Sequence, residues 1–206
     1  MSGNLETAVQ LFTKAREHVA SAGKLGEVEW QRTRNPQAFT ESDLLRESAW
    51  VILCSGFREA IVRRVFDKVS LSFCDWESAA VILGSARECR AGALASIRNT
   101  RKIDAILGVA QRVDEQGFFR LKKRILQDPI LELQEFRFIG PVTSWHLAKN
   151  LGFDCAKPDR HLARIALALG FSDVHQLCKC IASAVEETVS VVDIILWRYS
   201  ADLLNL

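Results

Sequence analysis

Apolar residues recur at helical spacing along most of the chain, and no stretch alternates long enough to predict a strand. The first pattern covers residues 4–20, and Trp30 to Phe39 is a polar connection. Further helices are predicted over 44–55, 58–69, 76–83, 101–113, 118–126, 143–151, 173–184 and 186–204, with others opening at 128 and 158. The pattern therefore predicts an all-α protein.

Residues that favour helix ends support several of these bounds. Asp128-Pro129 places a capping carboxylate before a proline that suits the first helical position. Thr40 and Asp43 have the spacing of a capping box. Asp75 and Ser172 are interpreted as N-caps of the helices that follow them.

Composition and charge are those of a globular chain. Its 206 residues are 49% hydrophobic and 25% charged, and the six cysteines are scattered, which favours free thiols. No apolar run reaches the ~18 residues of a transmembrane helix, and the first ten residues do not form a signal peptide. We therefore expect a cytoplasmic monomer. A net charge of +2 neither requires nor excludes nucleic acid.

Residues 136–164, FRFIGPVTSWHLAKNLGFDCAKPDRHLAR, carry the most informative pattern in the chain. They predict a hairpin at Ile139-Gly140-Pro141-Val142 between two helices, and a third helix opening at Pro158-Asp159. Gly140 suits a backbone position with positive φ or a close approach. Pro158 suits the first helical position, and Asp159 suits the first turn, where the helix dipole favours negative charge.

This pattern resembles the helix-hairpin-helix DNA glycosylases of the endonuclease III superfamily. The hairpin glycine is followed nineteen residues later by an Asp in the context Pro-Asp-Arg-His-Leu-x-Arg. Ile97-Arg98-Asn99-x-x-Lys102-Ile103-x-Ala105 and Phe138-Ile139-Gly140-Pro141 are similar to segments of 3-methyladenine DNA glycosylase I, and the resemblance covers about residues 50–165. It implies one domain with two lobes, about residues 40–140 and about 1–39 plus 141–206, with a DNA-facing cleft between them.

The resemblance also implies roles for individual residues. Asp159 is expected to stabilise positive charge on the sugar during glycosidic cleavage, or to orient the attacking water. The backbone amides of Gly140, Val142 and Ser144 are expected to bind a DNA phosphate, although Pro141 interrupts the family's usual Gly-x-Gly. The alternatives are a first-turn Asp that only balances the helix dipole and an ordinary αα-hairpin.

Basic residues near the hairpin and the Asp are the other candidate DNA contacts. Lys149, Lys157 and Arg160 are predicted to meet phosphates, whereas the cluster Arg120, Lys122, Lys123 and Arg124 fits a phosphate contact or a solvated helix face equally. Members of the resembling family with lyase activity carry a nucleophilic Lys four residues after the hairpin glycine. Ser144 stands there, so we expect a hydrolase without lyase activity.

Trp50 and Trp145 are the predicted base pocket, since a flipped base stacks on aromatic rings. The alternative is that both are core residues. Zinc is not expected: His175-x-x-Cys178-x-Cys180 offers ligands, but the N-terminal segment adds only His18. The resemblance implies no cofactor beyond a monovalent cation at the hairpin.

These expectations add up to a monofunctional DNA glycosylase that flips a modified base out of duplex DNA and hydrolyses its N-glycosidic bond. Members of the 3-methyladenine family lack an Asp at the position of Asp159, which indicates a broader or different substrate. Alkylated purines rank first, and a hypermodified, phage-type cytosine ranks second. The alternatives are a non-catalytic helix-hairpin-helix DNA-binding module and a helical protein-interaction domain. Repair and defence against foreign DNA both remain open.

Overall fold

The computed structural model describes residues 4–204, and within that range the chain forms helices and connections without a strand. The all-α prediction is therefore confirmed. Thirteen α-helices are described: α1 (Leu5–Ser21), α2 (Leu25–Thr33), α3 (Glu41–Cys54), α4 (Glu59–Ser72), α5 (Ala79–Gly84), α6 (Ala86–Ser96), α7 (Thr100–Gln116), α8 (Phe118–Gln127), α9 (Pro129–Gln134), α10 (Thr143–Asn150), α11 (Arg160–Ala168), α12 (Val174–Val185) and α13 (Val189–Leu204).

The helices form two compact units. One, here called the discontinuous unit, combines Met1–Asn35 with Gly152–Leu206, and the other, the continuous unit, is Pro36–Leu151. The sequence-based lobe boundary near residue 140 differs from this division, because α10 packs against α9 and α3 and so belongs to the continuous unit. Both helices that flank the predicted hairpin therefore lie in one unit.

Helix α13 is the centre of the discontinuous unit, where it packs against α1, α2, α11 and α12. The core includes Phe12 and Leu162, both fully buried, and Leu177 and Leu196, which are also fully buried. Because a buried apolar side chain contributes about 1.5–3 kcal/mol relative to an exposed one, these contacts hold the two chain segments together.

In the continuous unit α3 packs against α7 and α10, and α4 packs against α6. A row of aromatic rings fills the space beside α4. Trp50 meets Phe66 edge-on at 5.0 Å between ring centroids, and Trp76 stacks on Phe66 and Phe73. The 3₁₀ turn Cys74–Trp76 has positive φ at all three residues.

Several predicted helix ends are confirmed. Thr40 and Asp43 form a capping box: the Asp43 amide donates to Thr40 Oγ1, and the Thr40 amide donates to Asp43 Oδ2. Asp128 caps α9, with the proline at its first position. Gly152 follows α10 with φ +99°, a conformation open to glycine without the steric cost of a Cβ.

Other sequence-based bounds were wrong. Trp30 belongs to helix α2 and not to a connection, and α6 was not predicted at all. Ser78, not Asp75, caps α5, because Asp75 lies in the 3₁₀ turn with positive φ. Asp173, not Ser172, caps α12. The last helix begins at Val189, after Glu186 adopts a left-handed conformation that interrupts the helix.

The helix after the Pro158-Asp159 signal also begins later than predicted. Asp159 has an extended backbone (φ −86°, ψ 171°) and is the N-cap of α11, so Pro158 precedes the cap instead of occupying the first helical position. The physical reason is that a side chain that accepts from the second and third amides of a helix must stand outside it.

Candidate functional site

The hairpin between α9 and α10 is closed by Thr143. The Gly140 amide donates to Thr143 Oγ1 at 2.7 Å, and the Ser144 amide donates to the Gly140 carbonyl at 2.9 Å. Two of the three amides predicted to bind phosphate are therefore used inside the hairpin. Val142, which is 41% exposed, stands at the N-cap of α10 and is the exposed member of that set.

The backbone at Gly140 differs from the expectation of positive φ or close packing. Gly140 lies outside the positive-φ region, and a Cβ built on it would meet no atom within 4 Å. Phe138 adopts the left-handed conformation instead, with φ +70°. The Gly140 carbonyl accepts the Ser144 amide and lies 3.3 Å from the Thr143 hydroxyl.

An open hollow of about 530 Å³ lies beside the hairpin. The hairpin itself provides most of the wall, and α9 and the end of α3 complete it; the lining residues are Ser55, Gln134 and residues 136–143. We call this feature the hairpin hollow. Phe136 and Ile139 are buried in its wall, whereas Arg137 and Val142 are exposed.

A buried lysine lies behind this wall. Lys102, in the first turn of α7, is 5% exposed, and its Nζ donates to the carbonyls of Ile52, Leu53 (3.2 Å) and Ser55 (2.5 Å) at the end of α3. Nζ also lies 5.2 Å from the ring centroid of Phe57 and 5.3 Å from that of Phe138. Burial lowers the pKa of Lys102 from its usual 10.5 to about 8.

Sequence reasoning used Lys102 only as part of a resemblance and assigned it no role. A signal was present in the pattern. Lys102 shares the core-facing side of α7 with Val109 and Val113, which follow it at helical spacing and are 2% and 1% exposed. A lysine on such a face must find partners for its ammonium group within the fold.

Two of the predicted DNA-contacting residues are buried. Ser144 is fully buried and Lys149 is 4% exposed, so neither presents its side chain to solvent. Their helix, α10, is joined to α3 through buried polar groups: Asn150 Nδ2 donates to Glu47 Oε2 at 2.8 Å. These residues anchor the hairpin in the continuous unit.

The two predicted pocket tryptophans do not come together at the hairpin hollow. Trp50 is half-buried against Phe66, and the guanidinium of Arg63 lies 5.6 Å from its ring centroid. Trp145 is half-buried on α10. Neither ring is part of the hollow's lining.

Asp159 is held firmly within the discontinuous unit. Its Oδ1 accepts hydrogen bonds from the amides of His161 (2.9 Å) and Leu162 (3.1 Å), and its side chain is 12% exposed. The other oxygen, Oδ2, lies 4.0 Å from Lys157 Nζ. Arg160, the next residue, is exposed. Lys157, Asp159 and Arg160 therefore form one local group at the start of α11.

The loop before Asp159 is fastened to α13 by two carboxylates. Asp193, 1% exposed, accepts the Lys157 amide at 2.7 Å, and Asp154 accepts the Ser190 amide at 2.9 Å. Hydrogen bonds to charged groups contribute about 1.5–3 kcal/mol each. The position of Asp159 thus depends on both its own cap and this loop.

The basic cluster on α8 is divided among different tasks. Lys122 Nζ donates to the carbonyls of Gln37 and Phe39, and Arg124 pairs with Glu132. Arg120 and Lys123 are exposed. Half of the cluster therefore stabilises the continuous unit.

Residues 4–204 contain no group of three or more His, Cys, Asp or Glu side chains arranged to hold a metal ion. Within the same range, every helix is too short or too polar to cross a bilayer.

Comparisons with known proteins identify no relative. No protein-family model, curated protein or solved structure matches the chain.

Proposed function

We propose that this protein is a monofunctional DNA glycosylase that hydrolyses the N-glycosidic bond of a modified base flipped out of duplex DNA. The observation that carries the proposal is the placement of Asp159, a carboxylate fixed by two amides at the start of α11 within the sequence Pro-Asp-Arg-His-Leu-x-Arg. The sequence resemblance to helix-hairpin-helix glycosylases supplies the reaction.

The role of Asp159 is electrostatic. As the glycosidic bond breaks, the sugar gains positive charge, and a fixed carboxylate stabilises that charge without reorganising. The same carboxylate can orient the water that attacks the sugar. The cap and the loop ties to α13 support this role, because a preorganised group is more effective than a mobile one.

The proposed DNA contacts are the exposed end of the hairpin and the basic residues beside Asp159. Val142 stands at the N-terminus of α10, and a helix N-terminus favours a phosphate irrespective of sequence. Lys157 and Arg160 are cations next to the proposed catalytic carboxylate. Neither set of contacts depends on the base sequence, so substrate selectivity must come from recognition of the modified base.

The experiment that tests this function is a panel of otherwise identical duplexes. They carry an alkylated purine, uracil, an oxidised purine, or hydroxymethylated or glucosylated cytosine, and free base is measured under single-turnover conditions. We expect release of alkylated purines. Release confined to glucosylated cytosine favours the second substrate and defence, whereas no release from any duplex contradicts the glycosylase proposal.

A non-catalytic helix-hairpin-helix DNA-binding module is the second candidate. The hydrogen bonding of Asp159 favours it, because Oδ1 already has a structural task as a helix cap. Salt-dependent binding to every duplex in the panel, without base release, is the result that this candidate predicts.

Absence of lyase activity is a separate prediction. A Schiff base requires an accessible amine, and the lyase position is occupied by Ser144, while Lys149 is 4% exposed. We expect borohydride to trap no covalent adduct between the protein and a duplex that carries the substrate base or an abasic site. An adduct that peptide mapping locates on Lys149 or Lys157 would contradict the monofunctional assignment.

A further inference from the structure

We propose that Lys102 is a positioning residue for DNA binding. Its ammonium group holds the hairpin in a fixed position against the end of α3. This inference rests on the proposed function in one respect, the assignment of the hairpin as a DNA contact. Lys102 itself is buried and is not expected to contact DNA.

Lys102 joins two separate walls of the hairpin hollow. Its Nζ donates to the carbonyl of Ser55, and it lies 5.3 Å from the ring of Phe138. Ser55 and Phe138 both line the hollow. A change at Lys102 therefore affects the shape of the hollow from both sides.

The groups around Lys102 Nζ are those that attract a cation. Among residues 4–204, Lys102 forms no ion pair with a carboxylate, and its negative partners are the terminal carbonyls of α3 and two aromatic ring faces. The C-terminus of a helix carries partial negative charge, and ring faces attract cations. The three carbonyl acceptors match the three N–H donors of an ammonium group, and attraction to the ring faces needs its positive charge, so the protonated form and not merely the side-chain length holds these walls.

The backbone of Phe138 has an unfavourable conformation. This residue adopts φ +70°, which costs an L-amino acid about 1–2 kcal/mol, and such a conformation persists only where surrounding contacts determine it. Its ring contacts Lys102 and also the guanidinium of Arg137, at 5.5 Å. Lys102 thus supplies a contact that favours the hairpin conformation.

Deprotonation provides a readout that separates positioning from general stability. The pKa of Lys102 is about 8 in the fold and 10.5 in the unfolded chain. Between these values the unfolded chain binds more protons, so this group makes the fold more stable as pH rises. The ammonium contacts to the hairpin are lost over the same rise. Positioning therefore predicts weaker DNA binding while this group's contribution to stability increases.

Other ionisable groups near Lys102 must be controlled. The Cys54 thiol on α3 faces it and raises its pKa once ionised, and Arg137 shares the Phe138 ring. A Cys54→Ser background removes the thiol from the titration.

The test uses the full chain and a duplex that carries a tetrahydrofuran abasic-site analogue. Lys102→Met removes the charge at similar length, Lys102→Arg keeps it, and Lys68→Met, an exposed lysine on α4, controls for net charge. We expect Lys102→Met to bind about tenfold more weakly at pH 7 and to lose the pH dependence of the parent between pH 7 and 9. Lys102→Arg should retain most of the affinity.

Hydrogen exchange of the DNA-free proteins gives a readout independent of function. We expect Lys102→Met to lose protection in peptides that cover residues 52–58 and 135–143, and Lys68→Met to lose none. If Lys102→Met keeps both the DNA affinity and the exchange rates of the parent, the positioning role is overturned. If the parent does not bind DNA, the proposed function is overturned instead. Hydrogen exchange then still shows whether Lys102 holds the hairpin against the end of α3. Should Lys102→Met fail to fold, a flat affinity between pH 7 and 9 in the parent overturns the proposal.

Discussion

Asp159→Asn is expected to reduce single-turnover base release by about 100-fold or more, the size of effect seen when one group that stabilises transition-state charge is removed. The substitution removes the negative charge, but an asparagine Oδ1 caps a helix about as well as that of aspartate. The amides of His161 and Leu162 therefore keep their acceptor. Stability should fall by at most about 1 kcal/mol, the part that the helix dipole contributes.

The chain supplies a matched control for this substitution. Asp173 caps α12 in the same unit, with Oδ1 accepting the Gln176 amide at 2.8 Å. Asp173→Asn should cost similar stability and leave base release at the parental rate. Asp159→Ala removes both charge and cap and should melt lower than Asp159→Asn. Parental base release by Asp159→Asn would exclude the carboxylate from the chemistry.

Leu147→Ala is expected to give the largest loss of stability, about 2–5 kcal/mol from lost apolar contact and a residual cavity. Leu147 is fully buried on α10, the helix that follows the hairpin and packs against α3 and α9. We expect denaturant unfolding to show the loss as a lower midpoint at unchanged slope. DNA affinity should also fall, because the position of the hairpin depends on the packing of α10.

The same chemical change on an exposed site is the control. Leu131 on α9 is 66% exposed, so Leu131→Ala should alter the free energy of unfolding by no more than about 0.5 kcal/mol. Equal midpoints for the two variants would show that α10 is not packed as described.

The helices that could be predicted from the sequence are those with a wide apolar face. In α7, Ile103, Ile106, Val109 and Val113 mark the buried side and are large enough to reveal the period. In α2 only Val28 and Gln31 are buried, and in α6 only Cys89 and Ala93, so hydrophobic spacing gives little signal. Those two helices depend on their neighbours more than on their own pattern.

Helix caps were harder to place where two suitable residues adjoin. Ser172 and Asp173 both favour a cap, and the structure gives the cap to Asp173 while the Ser172 hydroxyl donates to the Asp173 carboxylate. Local preference cannot separate such neighbours, since tertiary contacts fix where the first turn begins. The two-residue shift of the start of α11, from Pro158 to Arg160, has the same origin.

Within the candidate site, the sequence indicated the hairpin and the helix start at Asp159, because both depend on local turn and cap residues. It could not indicate what lies behind the hairpin. The carbonyls that accept from Lys102 belong to residues 47 to 50 positions earlier in the chain. Tertiary packing decides which lysine contacts which helix end. A local sequence pattern does not contain that information.

The two-segment composition of the discontinuous unit has a consequence for biosynthesis. A ribosome completes α1 and α2 first, yet Phe12 and Val19 have their core partners in residues 152–206. At about 5–20 residues per second, the nascent chain waits on the order of ten seconds for those partners. The continuous unit is delivered as one uninterrupted segment in that interval. Its folding can therefore precede closure of the other unit, while the apolar face of α1 remains a substrate for chaperones.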